Sequence, residues 1–180
     1  MPLHALARQS VRPVLLAAAL AACSSLLPQA ALRAQEAAPS LSLSQRRALK
    51  EYRETKFPEL QKRLNEAAKF DVPLEVQWEA MADRGAGESY QNDDYFTNVY
   101  FMPLIDALKP ITADAMGAAA LKAKLKKVVL ACDKDAASDG YDQTVKFKDG
   151  TLTIDWAPFT NPQDQQRRTQ VLAAVLDKIL

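Results

Sequence analysis

Two acidic segments carry the residue types best suited to chemistry. Asp133, Asp135, Asp139 and Asp142 fall in DKDAASDGYD, and Asp83, Glu88, Asp93 and Asp94 in DRGAGESYQNDD. Carboxylates one to a few residues apart on a loop can converge on calcium, which takes roughly six to eight oxygen ligands. The stretch 133–142 is therefore the candidate calcium site. It departs from an EF-hand loop, because Gly140 comes late and no closing glutamate follows. A solvated loop is the plainer reading of the same acids. Acids from the two segments acting together on a glycoside would have to approach within about 10 Å. Counting chain reversals, with the first strand up, two helices, and the second strand down, sends the two loops to opposite ends of the sheet and argues against that pairing.

Aromatic residues offer the second kind of site. Trp78 and Trp156 each continue the apolar phase of an alternating segment. That phase predicts core positions; if both instead face outward, they form a platform for a sugar ring or a peptide. Tyr90 and Tyr95 cluster with Asn92, Asn98, Tyr100 and Phe101, where a long loop meets a helix, and can line a pocket. Trp78, Tyr90, Tyr95 and Trp156 are thus the candidate ligand-binding residues.

The start of the chain is an address. Arg8 and Arg12 precede an apolar run from Val14 to Leu27 that stops at Pro28. The run has signal-peptide length and is shorter than the roughly 20 residues a membrane span needs. Within it, Leu20-Ala21-Ala22-Cys23 resembles the lipobox of bacterial lipoproteins. The resemblance covers the leader only. It implies cleavage before Cys23, acylation of that cysteine and, with Ser24 following, a place at the outer membrane. The segment after Cys23 is more apolar than a typical tether. The rival is an ordinary secretory signal cut near Ala34, although Leu32 spoils a small-x-small site. Residues 1–34 are read as signal peptide and linker, 35–41 as linker, and 42–180 as one domain.

Export changes which chemistries are open. The whole chain has a formal net charge of +1, which makes no electrostatic case for nucleic acid. Residues 1–34 hold three arginines and no acid, so the remainder has 20 basic against 22 acidic residues, net −2. The only histidine, His4, leaves with the leader. Ser-His-Asp and Cys-His catalysis and His-ligated metals are then excluded. Cys132 becomes the sole cysteine if cleavage is near Ala34, and the only one within the folded domain either way. No disulfide can form inside that domain, and an apolar core must hold it. Following Val128-Val129-Leu130-Ala131, Cys132 reads as a small buried hydrophobe.

The elements that must position these residues follow from periodicity. Leu43 to Phe70 is helical, capped by Ser42 or Ser44, with Leu49, Phe57, Leu60, Leu64 and Ala68 on one face and a break near Pro58. Its basic residues interleave with glutamates as a solvated face, or else form a patch for anionic headgroups or cell-wall polymer. Leu74 to Trp78 alternates as a strand. Tyr95 to Leu108 is an amphipathic helix that Pro103 bends or delays. Thr112 is expected to cap a further helix over 113–127, and Lys127 to Cys132 reads as a central strand. Val145, Phe147, Leu152, Ile154 and Trp156 flank Asp149-Gly150 in a hairpin with a type I′ turn. Asn161-Pro162 opens a last helix with Val171, Leu172, Val175, Leu176 and Ile179 as its stripe. The fold class is α+β, with a small antiparallel sheet of about four strands, C-terminal hairpin included, packed by helices on one face in two layers.

The function expected from this reading is an exported, non-catalytic envelope protein. It acts in the periplasm as a binding or interaction module, with a lipid anchor at Cys23 and no membrane span in the mature chain. The alternatives are a histidine-free carboxylate hydrolase, with or without calcium, and an inhibitor or immunity-type protein using an acidic loop.

Overall fold

The computed structural model describes residues 41–83, 93–132, 140–156 and 161–180. These lie within one compact unit, Ala37–Leu180. The leader, Tyr90 and the aspartates 133, 135 and 139 fall outside the described residues.

The first helix, α1 (Leu43–Thr55), starts at a reciprocal cap. Ser42 Oγ accepts from the Gln45 N–H, and Gln45 Oε1 accepts from the Ser42 N–H. The break expected near Pro58 is a full restart. Lys56 separates α1 from α2 (Phe57–Ala68), and Pro58 sits in the first turn of α2, where no N–H is needed. Leu49, Leu60, Leu64 and Ala68 are buried, as is Tyr52, one turn beyond Leu49.

Strand β1 (Leu74–Val76) is shorter than its alternation suggests. The Gln77 N–H donates to Leu130 O at 2.9 Å, and Trp78 then opens the helix α3 (Trp78–Asp83). After α4 (Asp93–Phe96) the helix widens into a π turn over Thr97–Phe101, closed by the Met102 N–H on Thr97 O. Pro103 explains it: its nitrogen cannot bond four residues back, and its ring would strike that carbonyl. Helix α5 (Met102–Ile111) then runs through Pro110 in its last turn. Thr112 ends α5 and does not start the next helix; its hydroxyl donates to Leu108 O and to Ala67 O on α2. The cap of α6 (Ala115–Lys124) is Asp114, whose Oδ1 accepts from the Gly117 N–H at 2.7 Å.

The remaining elements are β2 (Lys127–Leu130), α7 (Tyr141–Thr144), β3 (Val145–Lys148), β4 (Thr151–Ile154), a 3₁₀ turn over Pro162–Asp164 and α8 (Gln165–Asp177). Asn161 caps the 3₁₀ turn through Gln163 N. The hairpin forms as expected, with positive φ at both Asp149 and Gly150 (51° and 82°), as a type I′ turn requires.

The fold is α+β, with four strands in the order β1-β2-β4-β3. The sheet is mixed, and this corrects the antiparallel expectation. β2 runs parallel to both β1 and β4, and only β3–β4 is antiparallel. Helices α3 to α6 carry the chain back between β1 and β2, and the antiparallel strand β3 does so between β2 and β4; alternation alone reveals neither. The opposite-ends argument falls with it, because the chain leaves β1 and β2 from the same end of the sheet. Val128, Leu130, Leu152 and Ile154 point to one face and join the helical residues in a common core. By register, Glu75, Lys127, Thr151, Thr153, Lys146 and Lys148 occupy the other face.

Candidate functional site

The structure puts the candidate aromatics in the core. Trp156 follows β4 and is 0% exposed; Trp78 is 6% exposed. Neither has a face to offer as a platform: Trp78 opens the helix α3, Trp156 continues the inward phase of Leu152 and Ile154, and each indole meets neighbouring rings. Trp78 lies edge-on to Phe57 and Tyr52, at 5.1 and 5.9 Å between centroids. From Tyr52 the ring contacts continue through Phe96, Tyr100 and Trp156 to Tyr141, each step 5.7 to 6.0 Å. The two tryptophans therefore stand near opposite ends of one aromatic chain through the core. Such pairs add about 0.5–1.5 kcal/mol each beyond area burial. Tyr95 is half-buried, with its ring edge-on to Phe96 at 5.7 Å.

Of the candidate calcium ligands, only Asp142 is described. It is exposed on α7, in a helical turn and not a loop. Among the described residues, no three His, Cys, Asp or Glu side chains gather in a cation-binding group. Cys132 is buried.

A cluster missed by the sequence reading closes the aromatic chain. Arg168, on α8, is fully buried. Its guanidinium lies 5.0 Å from the Tyr141 ring centroid and 5.5 Å from that of Trp156, and its Nη2 donates to Asn161 O. Tyr141 donates its hydroxyl to Asp164 Oδ2 at 2.9 Å, and Tyr100 donates to the Trp156 carbonyl at 3.2 Å. Burying a cation costs several kcal/mol unless partners offset it, and here two π faces and a carbonyl do so. With no exposed atom to meet a solute, Arg168 serves to pin α8 to α7 and the end of β4. Its signal was present in the sequence: it lies four residues before Leu172 and eight before Leu176, on the same helical stripe.

An open concavity lies along α1. Its volume is about 730 Å³, and it is lined by Leu41, by Arg46, Leu49, Lys50, Arg53 and Glu54 of α1, and by Glu79 of α3. The capping box fixes the start of α1. The spacing 46, 49, 50, 53 then lays these residues along one side of the helix. Lys50 Nζ stands 3.8 Å from Glu54, and Arg53 3.9 Å from Glu79. Arg53 also covers the Trp78 ring at 6.0 Å. The cleft thus has an apolar floor and a charged rim, suited to an amphipathic ligand that carries an acid.

No protein-family model, curated protein or solved structure matches the chain.

Proposed function

We propose that this chain is exported, acylated at Cys23, and acts as a non-catalytic binding module of the bacterial cell envelope, with the α1 cleft as its ligand site. The leader supports export. The observation that carries the binding reading is the cleft itself, whose volume of about 730 Å³ falls within the usual range for small-molecule sites. Two further facts favour recognition over turnover. Residues 35–180 hold no histidine, and the buried Arg168 and tryptophans are committed to packing.

The test has two arms. Intact mass of membrane-extracted protein should give a species beginning at an acylated Cys23. A species beginning at Gln35 without acyl mass would refute the anchor. For the cleft, a photo-reactive residue replacing Lys50 should yield a discrete adduct in living cells, while the same residue at Asp177 on α8 should not. Equal labelling from both positions, or none from Lys50, removes the cleft as the site.

A further inference from the structure

A cationic surface that no single segment of the sequence displays is assembled by the β2–β4 pairing. Lys127 begins β2 with Lys126 just before it, and Lys146 and Lys148 lie on β3. By register, Lys127 is beside Thr151, and Thr151 is beside Lys148. These two lysines are therefore two strands apart on the same face, about 10 Å between backbones. Lys146 follows on that face, two residues along β3. The backbone N–H groups of Lys126 and Lys127 both donate to Gly150 O, which brings the hairpin turn against the end of α6. Lys122 and Lys124 stand on that same end of α6, and both are exposed, as are Lys126, Lys146 and Lys148.

The charge here is less compensated than on α1 and α2. There, Lys50 pairs with Glu54, Lys62 with Glu66, and Arg53 with Glu79. In the hairpin cluster six lysines stand with two acids, Glu75, 2.9 Å from Lys127, and Asp149 in the turn, whereas α1 and α2 set four glutamates among six basic residues. On α6, which carries Lys122 and Lys124, Met116, Ala119 and Ala123 form an exposed stripe at positions one turn apart. Met116 is 79% exposed, the most exposed large hydrophobic side chain described. Lysines flanking a modest apolar stripe match the interface of an anionic bilayer, where ammonium groups meet phosphates and the apolar side chains reach the acyl boundary.

We infer that the α6–β2–hairpin face docks on the surface of an anionic phospholipid membrane. The inference rests on the envelope reading above: a basic surface facing an anionic leaflet adds an electrostatic attachment to the proposed acyl anchor. Reach does not limit the geometry. The seventeen residues between Cys23 and Leu41 can span up to about 60 Å when extended, against a radius of gyration near 14 Å for a domain of this size.

The test uses the mature protein as purified from cells. It compares partition onto vesicles of phosphatidylcholine with partition onto vesicles containing 30 mol% phosphatidylglycerol. The ratio of the two cancels any acyl contribution, so it is read equally whether or not Cys23 is modified. Failure of the anchor and failure of this surface are therefore distinguishable. The wild type should prefer the anionic vesicles and lose that preference in high salt. Each lysine near such a surface is worth roughly fivefold in binding, so K126Q/K127Q/K146Q/K148Q should lower the ratio at least tenfold. The double variant K146Q/K148Q, confined to exposed positions on the edge strand, guards against misfolding of the quadruple and should lower it by several-fold. Lys62→Gln with Lys178→Gln, exposed lysines away from this face, should leave it unchanged. A wild-type ratio near one overturns the proposal, as does an undiminished ratio in the folded double variant. Capture by a soluble anionic polymer with no vesicle preference also overturns it.

Discussion

Arg168 shows how a residue's type and its position can disagree. It sits on the buried stripe of α8, yet a guanidinium is among the groups least often found fully buried. The reading from sequence followed chemical type and began the stripe at Val171. Periodicity alone extends it back to Arg168. The tryptophans gave the converse lesson: their apolar phase pointed inward and the core holds both. Replacing Arg168 with Ala should cost about 3–5 kcal/mol of unfolding free energy, because it opens a large void and removes the cation from the Tyr141 and Trp156 faces. Arg168→Met keeps most of the volume without the charge and should recover more than half of that loss, as buried ions replaced by apolar groups often do. Urea denaturation of the two variants checks the ranking. Equal losses would mean that the charge, and not the packing, is what α8 needs. Thr112→Val is a milder case. It leaves Ala67 O and Leu108 O without the hydroxyl donor and should cost about 1–2 kcal/mol by the same measurement.

At the scale of elements, the local signals were read well where they are chemical and poorly where they are directional. Pro58, Asn161-Pro162 and Asp149-Gly150 each dictate a start or a turn, and each does so in the fold. Alternation over Leu74–Trp78 said strand but not how long; the strand ends at Val76, and Trp78 turns inward on a helix. Strand direction was not written in the alternation. The continuous apolar run at β2 was the available hint, since parallel strands are buried on both faces, and Val129 and Ala131 are indeed buried opposite Val128 and Leu130. The hairpin turn yields a sharp prediction. Gly150 has φ +82°, and an added Cβ would lie 2.6 Å from Lys126 Cγ and 3.2 Å from Lys124 O. Gly150→Ala should therefore cost about 2 kcal/mol or more. Adding Lys126→Ala should return only part of it, because the φ strain and the backbone contact remain. Thermal melts of the single and double variants measure the difference.

For the whole molecule, the domain must be stable without a disulfide inside its folded body. Its one internal thiol, Cys132, is buried at the carboxyl end of the central strand. Its labelling by a thiol reagent should therefore track unfolding, rising steeply across the urea transition and staying slow below it. Fast labelling of the native protein would show that this end of the sheet opens on its own. The lysine surface was invisible in the sequence for a reason that belongs to this scale. Residues 122–127 and 146–148 are separated by an acidic segment, and only the parallel β2–β4 register brings them onto one face.

The strand order also bears on the proposed export. β4 occupies the seat between β2 and β3, so a nascent chain cannot complete its sheet until Ile154 has emerged. The helix that seals Trp156 and Tyr141 arrives later still, in the final sixteen residues. A polypeptide whose centrepiece is delivered last cannot close its core early, and that delay is compatible with the proposed passage as an open thread through a narrow pore.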